Sequence, residues 1–234
     1  MGVDVHALRQ APARAVAAAL DEVASLGTFF RIELGGPDPG WRPVDDTYAD
    51  GYADLVAAVC ARHDTGEARI GASIAQLGHA ARLWSPVLAC TVAHGIVPDL
   101  EGLLRAVDGP ALRLPAAPTG WYADGVAEQT EALYAVVVTR RLDALAAGLR
   151  TSVAPRLLAG NTASALAEAG RAVLAARPDL TGPVTGLVDG LLNTGLLIGS
   201  GKITGPSLAF RRRSCCLYYR VPQGEKCGDC VLAR

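Results

Sequence analysis

Apolar residues recur along most of this chain at helical spacing. Val16, Leu20 and Val23 share one face of residues 13–26. Tyr52, Leu55, Val56 and Val59 form the stripe of a helix, and Thr47 with Asp50 before it reads as a capping box, since a Thr side chain there can satisfy a free helix N–H. Residues 67–84 carry Ile70, Ile74, Leu77 and Ala81 at i, i+4, i+7 and i+11. Pro86 is expected to break or kink that helix, and a second apolar segment runs on to His94-Gly95. A short helix is expected over residues 98–107. Asp124 reads as the cap of a long helix over residues 124–150, with Val126, Thr130, Leu133, Val137 and Leu145 inward. Residues 152–176 hold one or two helices, interrupted near Gly160-Asn161. Thr181 before Pro183 starts a last helix that carries Val184, Leu187, Val188 and Leu191. Strand signals are few: residues 28–34, ended by Gly35-Gly36-Pro37, and a short run at 111–114. The expected fold is mainly α: a helical body, 1–205, with a small β element, then a small cysteine-bearing segment, 206–234. Gly199, Gly201 and Gly205 suggest a flexible hinge between them.

Composition narrows the classes of function. Half of the 234 residues are hydrophobic and 19% are charged, which suits one buried core and excludes a disordered chain. The net charge of −1 leaves no basic excess, arguing against nucleic acid as a partner. Lysines occur only at 202 and 226, so arginine supplies twenty of the 22 basic residues; with so much alanine, this points to a GC-rich genome rather than to a function. Asp4 precedes the first basic residue, Arg9, and Asp21 stops the apolar run 15–20, so no signal peptide is expected. His6 stands where a myristoylation site needs Ser or Thr. The longest weakly polar stretch, 83–97, contains Pro86 and His94 and falls short of the ~18 apolar residues of a membrane span. A soluble cytoplasmic protein without membrane insertion is the expectation.

Several motifs fail. Gly199-Ser-Gly-Lys202 is no phosphate loop, because Leu196 and Ile203 occupy its defining positions. No serine-hydrolase elbow is present, and the four histidines form no HExxH pair. The cysteines are different. Four of the six lie in the last twenty residues, as Cys215-Cys216, ten residues, then Cys227-Gly-Asp-Cys230. Four thiolates suit tetrahedral zinc or an iron–sulfur cluster. The C-x2-C half is a common chelating turn, whereas adjacent cysteines diverge and wrap one small ion awkwardly. That favours a cluster modestly and leaves zinc open. A thioredoxin-type redox pair would leave Cys215-Cys216 unexplained. Arg211, Arg212, Arg213, Arg220 and Lys226 flank the thiols; they read as tuning groups that raise a cluster's potential, or as a solvated face. Cys60 and Cys90 lie in apolar stretches and read as core.

Phe210-Arg-Arg-Arg-Ser-Cys-Cys-Leu-Tyr-Tyr-Arg-Val-Pro, with the Cys-Gly-Asp-Cys after it, resembles the C-terminal signature of FhuF-type ferric-siderophore reductases. Residues 76–89 and 160–166 resemble that family's body, so the likeness covers nearly the whole chain and is weakest before about residue 45. The family's body is also similar to the C-terminal part of siderophore synthetases of the aerobactin type, although this chain is too short to carry their nucleotide part. The resemblance implies that Cys215, Cys216, Cys227 and Cys230 bind a [2Fe–2S] cluster, which passes one electron to iron in a hydroxamate-type siderophore. It implies as partners a ferric siderophore and an electron donor, either a ferredoxin or a flavin/NAD(P)H reductase system. Arg82, Trp84 and Asn161 are the candidates for siderophore contact: Trp84 offers a flat apolar face at a helix end, and Asn161 sits at a helix break, where it would equally serve as a cap. His94 reads as a helix-end residue. Rival readings are a zinc-stabilised binding module, an iron–sulfur sensor without reductase activity, and a simple electron carrier.

Overall fold

A computed structural model describes residues 5–233. Asp4 lies outside the described residues, as does the His6 side chain. The chain runs through α1 (Ala13–Ala24), β1 (Glu33–Leu34), β2 (Trp41–Pro43), α2 (Val44–Ala49) and α3 (Ala53–Arg62) to α4 (Ala68–His94). Four short strands follow: β3 (Ile96–Pro98), β4 (Leu104–Ala106), β5 (Leu112–Leu114) and β6 (Gly120–Tyr122). Then come α5 (Gly125–Leu133), a π-helical stretch (Tyr134–Leu142), α6 (Asp143–Gly148), α7 (Pro155–Ala176), α8 (Thr181–Leu192), β7 (Gly201–Gly205) and β8 (Ala209–Arg212). The fold is mainly α, as the apolar periodicity predicts.

Helix α4 is the axis of the core. Leu83, Trp84, Val87, Leu88 and Cys90 expose no surface, and α7, α3 and α1 pack around the helix. The small strands form three separate sheets. One sheet has the order β1-β5-β4-β2, with β1 parallel to β5 and the other pairs antiparallel. β3 pairs with β6, and β7 with β8, both antiparallel.

Local sequence signals lose to tertiary packing in several places. Pro86 does not break α4, which runs through it from Ala68 to His94. Proline in a helix interior costs about 3 kcal/mol, and the burial of nearly every side chain from Leu83 to Thr91 outweighs that cost. Helix α7 is likewise unbroken at Gly160-Asn161. The helix expected over residues 98–107 is a turn followed by β4, because this segment finds partners on both sides: Pro43 pairs with Leu104, and Leu112 with Arg105. Residues 28–34 form a 3₁₀ turn, Thr28–Phe30, and leave only Glu33 and Leu34 as strand. Thr47 and Asp50 make no capping box. Pro43 starts α2 earlier, Thr47 is buried within it and donates to the Pro43 carbonyl at 3.2 Å, and Asp50 follows its end.

The long helix from Asp124 forms but contains a π-helical middle. The wider turn there buries three consecutive residues, Val136, Val137 and Val138. Of the glycines after α8, Gly199 takes a left-handed φ of 73°, while Gly201 and Gly205 lie in β7. Gly201 opens β7, and a side chain there would collide with the Phe210 ring on β8, so the glycine serves close approach rather than freedom. The β7–β8 hairpin spans residues 201–212 and therefore crosses the 205/206 boundary, with Leu208 and Phe210 buried in the body's core.

Candidate metal centre

Strand β8 delivers the chain to the thiols. It ends at Arg212, whose backbone N–H donates to the Asp229 carbonyl at 3.1 Å and so ties the two arms of the tail together. Leu217 takes a left-handed φ of 69°, and its N–H donates to Cys215 Sγ at 3.3 Å. A 3₁₀ turn, Tyr218–Arg220, reverses the chain, and Gly224 lies so close to the Tyr218 carbonyl that no Cβ fits. Residues 227–230 then close a turn in which the Cys230 N–H donates to the Cys227 carbonyl at 3.0 Å. The Leu232 N–H donates to Cys230 Sγ at 3.4 Å. These turns bring Cys216 Sγ within 3.7 Å of Cys227 Sγ. Cys216 and Cys230 are buried, while Cys215 and Cys227 are half-buried.

The 3.7 Å separation is informative. It is far too long for a disulfide, which needs about 2.05 Å. It matches the edge of a tetrahedron with metal–sulfur bonds of about 2.3 Å, close to 3.8 Å. The two sulfurs share one hydrogen bond: the Cys227 proton holds Cys216 below the ordinary thiol value, and Cys227 itself is pushed well up. Burial raises Cys215. Among the described residues, no three His, Cys, Asp or Glu side chains form a group around a single point that could hold one ion.

Arg212 is the unusual neighbour. Its side chain is 1% exposed, and its charge lies close enough to favour the thiolate forms of Cys215, Cys216 and Cys227. Nη2 donates to the Asn161 Oδ1, yet among the described residues Nε and Nη1 have no partner. The other deeply buried arginines are ion-paired, Arg105 with Asp54 and Arg141 with Asp45. Arg212 has no ion-paired carboxylate among the described residues.

The helices anchor this corner. Ser73 Oγ on α4 donates to the Cys216 carbonyl at 2.7 Å, and Asn161 Nδ2 on α7 donates to the Ser73 carbonyl at 2.9 Å. Gln76 Nε2 donates to Thr162 Oγ1 at 3.1 Å beside them. Gly160 leaves room here for the Ser214 hydroxyl, which a Cβ would displace. The Ser164 hydroxyl donates to Asp229 at 2.5 Å, and Arg171 pairs with Asp229 at 3.1 Å. A groove of about 360 Å³ opens between α4 and α7, with Cys227, Gly228 and Asp229 at its end.

The structure sorts the residues singled out by sequence. Cys216 and Cys227 come within 3.7 Å of each other near Arg212, and Cys215 and Cys230 lie on the same two turns without closing a four-sulfur group. Arg211 and Arg213 are exposed, and Arg220 is neutralised by Glu67 at 2.8 Å. Trp84 is wholly buried in mid-helix, not at a helix end, and offers no surface to an outside ligand. Asn161 is also fully buried, neither a cap nor an exposed contact, and belongs to the Arg212 network. Arg82 donates to the Gly78 carbonyl at 2.9 Å and lies over the Phe29 ring. His94 is the last residue of α4, 3.4 Å from Glu22. Cys90 is core, while Cys60 is only half-buried. Sequence reasoning missed Ser73, Ser164, Phe29 and the special standing of Arg212. The signal for the serines was the run of small residues inside two helices, which lets the tail approach closely.

Four thiols, two of them accepting backbone N–H bonds and three of them close to a buried cation, suit soft metal ions and iron–sulfur clusters. The family model described as the FhuF 2Fe-2S C-terminal domain matches residues 212–232, from Arg212 past Cys230. No curated protein and no solved structure matches the chain.

Proposed function

We propose that this protein reduces ferric iron held in a siderophore, in the cytoplasm, and so releases it as ferrous iron. The observation that carries the reading is the tail. Its thiols lie beside a buried, unpaired Arg212, and residues 212–232 match a domain described as carrying a [2Fe–2S] centre. Cys215, Cys216, Cys227 and Cys230 would hold the cluster. When bound, a [2Fe–2S] cluster accepts one electron from a separate donor and passes one electron on. One electron is what the substrate needs. Hard oxygen donors hold Fe³⁺ tightly and the softer, less charged Fe²⁺ far less so. No proton donor or nucleophile is required.

The chain's own residues do the rest. Arg212 offsets the negative charge of the thiolates inside the fold, and Ser73 and Asn161 fix the loop that presents Cys216. The N–H groups of Leu217 and Leu232 spread charge from Cys215 and Cys230. A small ferredoxin or a flavin-dependent reductase would supply the electron.

The test is anaerobic reconstitution. The expected product shows the visible spectrum of an iron–sulfur protein and an EPR signal after reduction. It then reduces a ferric tris-hydroxamate with dithionite as donor, whereas Cys216→Ser loses at least ~90% of the bound iron and of the turnover. Stoichiometric zinc without iron, in protein made without oxygen, would overturn the reading in favour of a zinc-stabilised module. A cluster without ferric-chelate turnover would favour a sensor or carrier.

A further inference from the structure

One face of the body, next to the thiols but apart from the groove at Cys227, gathers open positive charge and open apolar side chains. A depression of about 380 Å³ lies where the start of α7 meets the segment between α8 and β7. Arg156, Leu196, Ile198, Arg213 and Ser214 line it, and no acidic residue does. Arg156 and Arg213 are exposed, and among the described residues neither guanidinium has an ion-paired carboxylate. Ile198 is 65% exposed and Leu196 39%. The loop that carries them is held in place. Tyr134 Oη accepts the Leu196 N–H at 2.9 Å, Leu197 is buried, and the Arg213 N–H donates to the Ser200 carbonyl at 2.8 Å. A loop already ordered presents its side chains to a partner with little further loss of entropy. Ser214 packs against Gly160 of α7, and the next residue is Cys215, so one peptide unit separates the wall of the depression from a thiol-bearing residue.

We propose that this face docks the electron donor, and that the donor is an acidic one-electron carrier protein. The assignment rests on the reductase reading above and adds where the electron enters and what charge guides its carrier. An apolar centre with arginine at its rim is the anatomy of a protein interface, in which the charges speed and orient the encounter. The patch is small, which suits the short-lived contacts of electron transfer, at under about 1,200 Å² the low end of interface sizes. Two arginines are too few for a lipid surface, which takes clusters of about four to eight basic residues. Of the exposed arginines on the tail, Arg220 is neutralised by Glu67, and Arg211 is turned to the carbonyls of Val231 and Ala233. That leaves Arg213, with Arg156 beside it, open to acidic side chains of a partner. In the step itself the carrier loses one electron and leaves oxidised by one, and the centre at the thiols is reduced by one. No atom is exchanged.

The experiment reads docking without electron transfer. A plant-type [2Fe–2S] ferredoxin, an acidic carrier, is titrated calorimetrically into the cluster-loaded protein with both partners oxidised. The wild type is compared with Arg156→Glu, Arg213→Glu and Ile198→Asp, all at exposed positions where the fold should tolerate the change. Arg14→Glu, at an exposed position on α1, makes the arginine variants' change of net charge outside this face. The expected result is micromolar binding to the wild type that weakens about tenfold in each face variant and by less than about twofold in Arg14→Glu. Raising the salt to 0.5 M should weaken wild-type binding at least about tenfold. Cytochrome c, a basic one-electron carrier, should not bind. Equal Kd in the wild type and all three face variants would overturn the face, as would a loss in Arg14→Glu as large as theirs. So would a wild type that binds no ferredoxin; binding of phosphatidylglycerol vesicles in its place, lost in the same variants, would assign the face to a lipid surface. If ferredoxin binds through this face but the loaded protein never reduces a ferric tris-hydroxamate, the docking face stands and the reductase reading falls. Dithionite-driven turnover by a wild type that binds no ferredoxin keeps the reading and removes the face.

Discussion

Arg105 and Arg212 are both fully buried, and both belong to polar networks that meet helix α4. Around Arg105 the accounting nearly closes. Its guanidinium pairs with Asp54, donates to the Gly109 carbonyl at 2.8 Å, and lies 5.7 Å from the Tyr52 ring. Tyr52 and Tyr48 in turn hold both ring nitrogens of His79, at 2.9 and 2.5 Å. Only the Arg105 Nε is left over. Around Arg212 it does not close. Among the described residues the side chain has neutral oxygen acceptors, no carboxylate, and two nitrogens, Nε and Nη1, without a partner. Burying a charge without a counter-ion is costly. The difference teaches that the first network is complete as the chain folds, whereas the second leaves a buried cation without a counter-ion beside the cysteine thiols.

The sharpest way to break this contrast is to remove each cation in turn. Arg105→Met should destabilise the protein by about 2–3 kcal/mol whether or not a cluster is bound, since it deletes charge-assisted hydrogen bonds. Arg212→Met should leave the cluster-free protein unchanged or more stable, because it removes an uncompensated charge. The same change should weaken cluster retention and lower the reduction potential. Urea unfolding of both variants, cluster-free and loaded, gives the comparison. Equal losses for Arg212→Met in the two states would show that Arg212 is an ordinary structural residue.

The sequence displays one side of this contrast far better than the other. The cysteine spacing is legible because ligand thiols on a short tail need only local turns, and helical periodicity is legible because a buried face repeats. Arg212 is indistinguishable from Arg211 and Arg213 in sequence; only the alternation of β8 decides that Arg212 points inward while its neighbours point out. Gly160-Asn161 looks like a helix break because local propensity is weak there. In the structure Gly160 makes room for Ser214, and Asn161 bridges Ser73 to Arg212. Pro86 misleads in the same way. Its local cost is real, but the surrounding burial is not visible from position 86 alone.

The completed network makes its own prediction, of intermediate size. Burial holds His79 down from 6.5 to about 3, with the nearby arginines Arg82, Arg105 and Arg141 adding to the effect. A depressed folded value means that the unfolded chain binds a proton which the native protein refuses. Stability is therefore fully present above about pH 6.5 and falls as the pH drops towards 3, by up to ~1.4 kcal/mol per pH unit. Cluster-free protein should accordingly unfold at lower urea at pH 5 than at pH 7. His79→Gln keeps a hydrogen-bonding side chain without a titrating one and should flatten that dependence. An unchanged slope in the variant would place the acid sensitivity elsewhere.

The smallest expected effect concerns the exposed arginines and sharpens what burial means here. Arg211 and Arg213 face solvent, and Arg220 already pairs with Glu67 at 2.8 Å. Solvent and salt screen such charges, and exposed pairs contribute about 0–1 kcal/mol. Arg212 sits in a lower dielectric, where the same unit charge acts more strongly on the thiolates. Potentiometric titration of the loaded protein should therefore rank the variants. Arg211→Gln, Arg213→Gln and Arg220→Gln should each shift the potential by less than about 20 mV, under 0.5 kcal/mol for a one-electron couple. Those shifts should shrink further at 0.5 M salt. Arg212→Met should shift it by more than any of the three and keep its shift in salt. A larger, salt-sensitive shift from an exposed arginine would reverse the ranking and return the tail's influence to its surface charge.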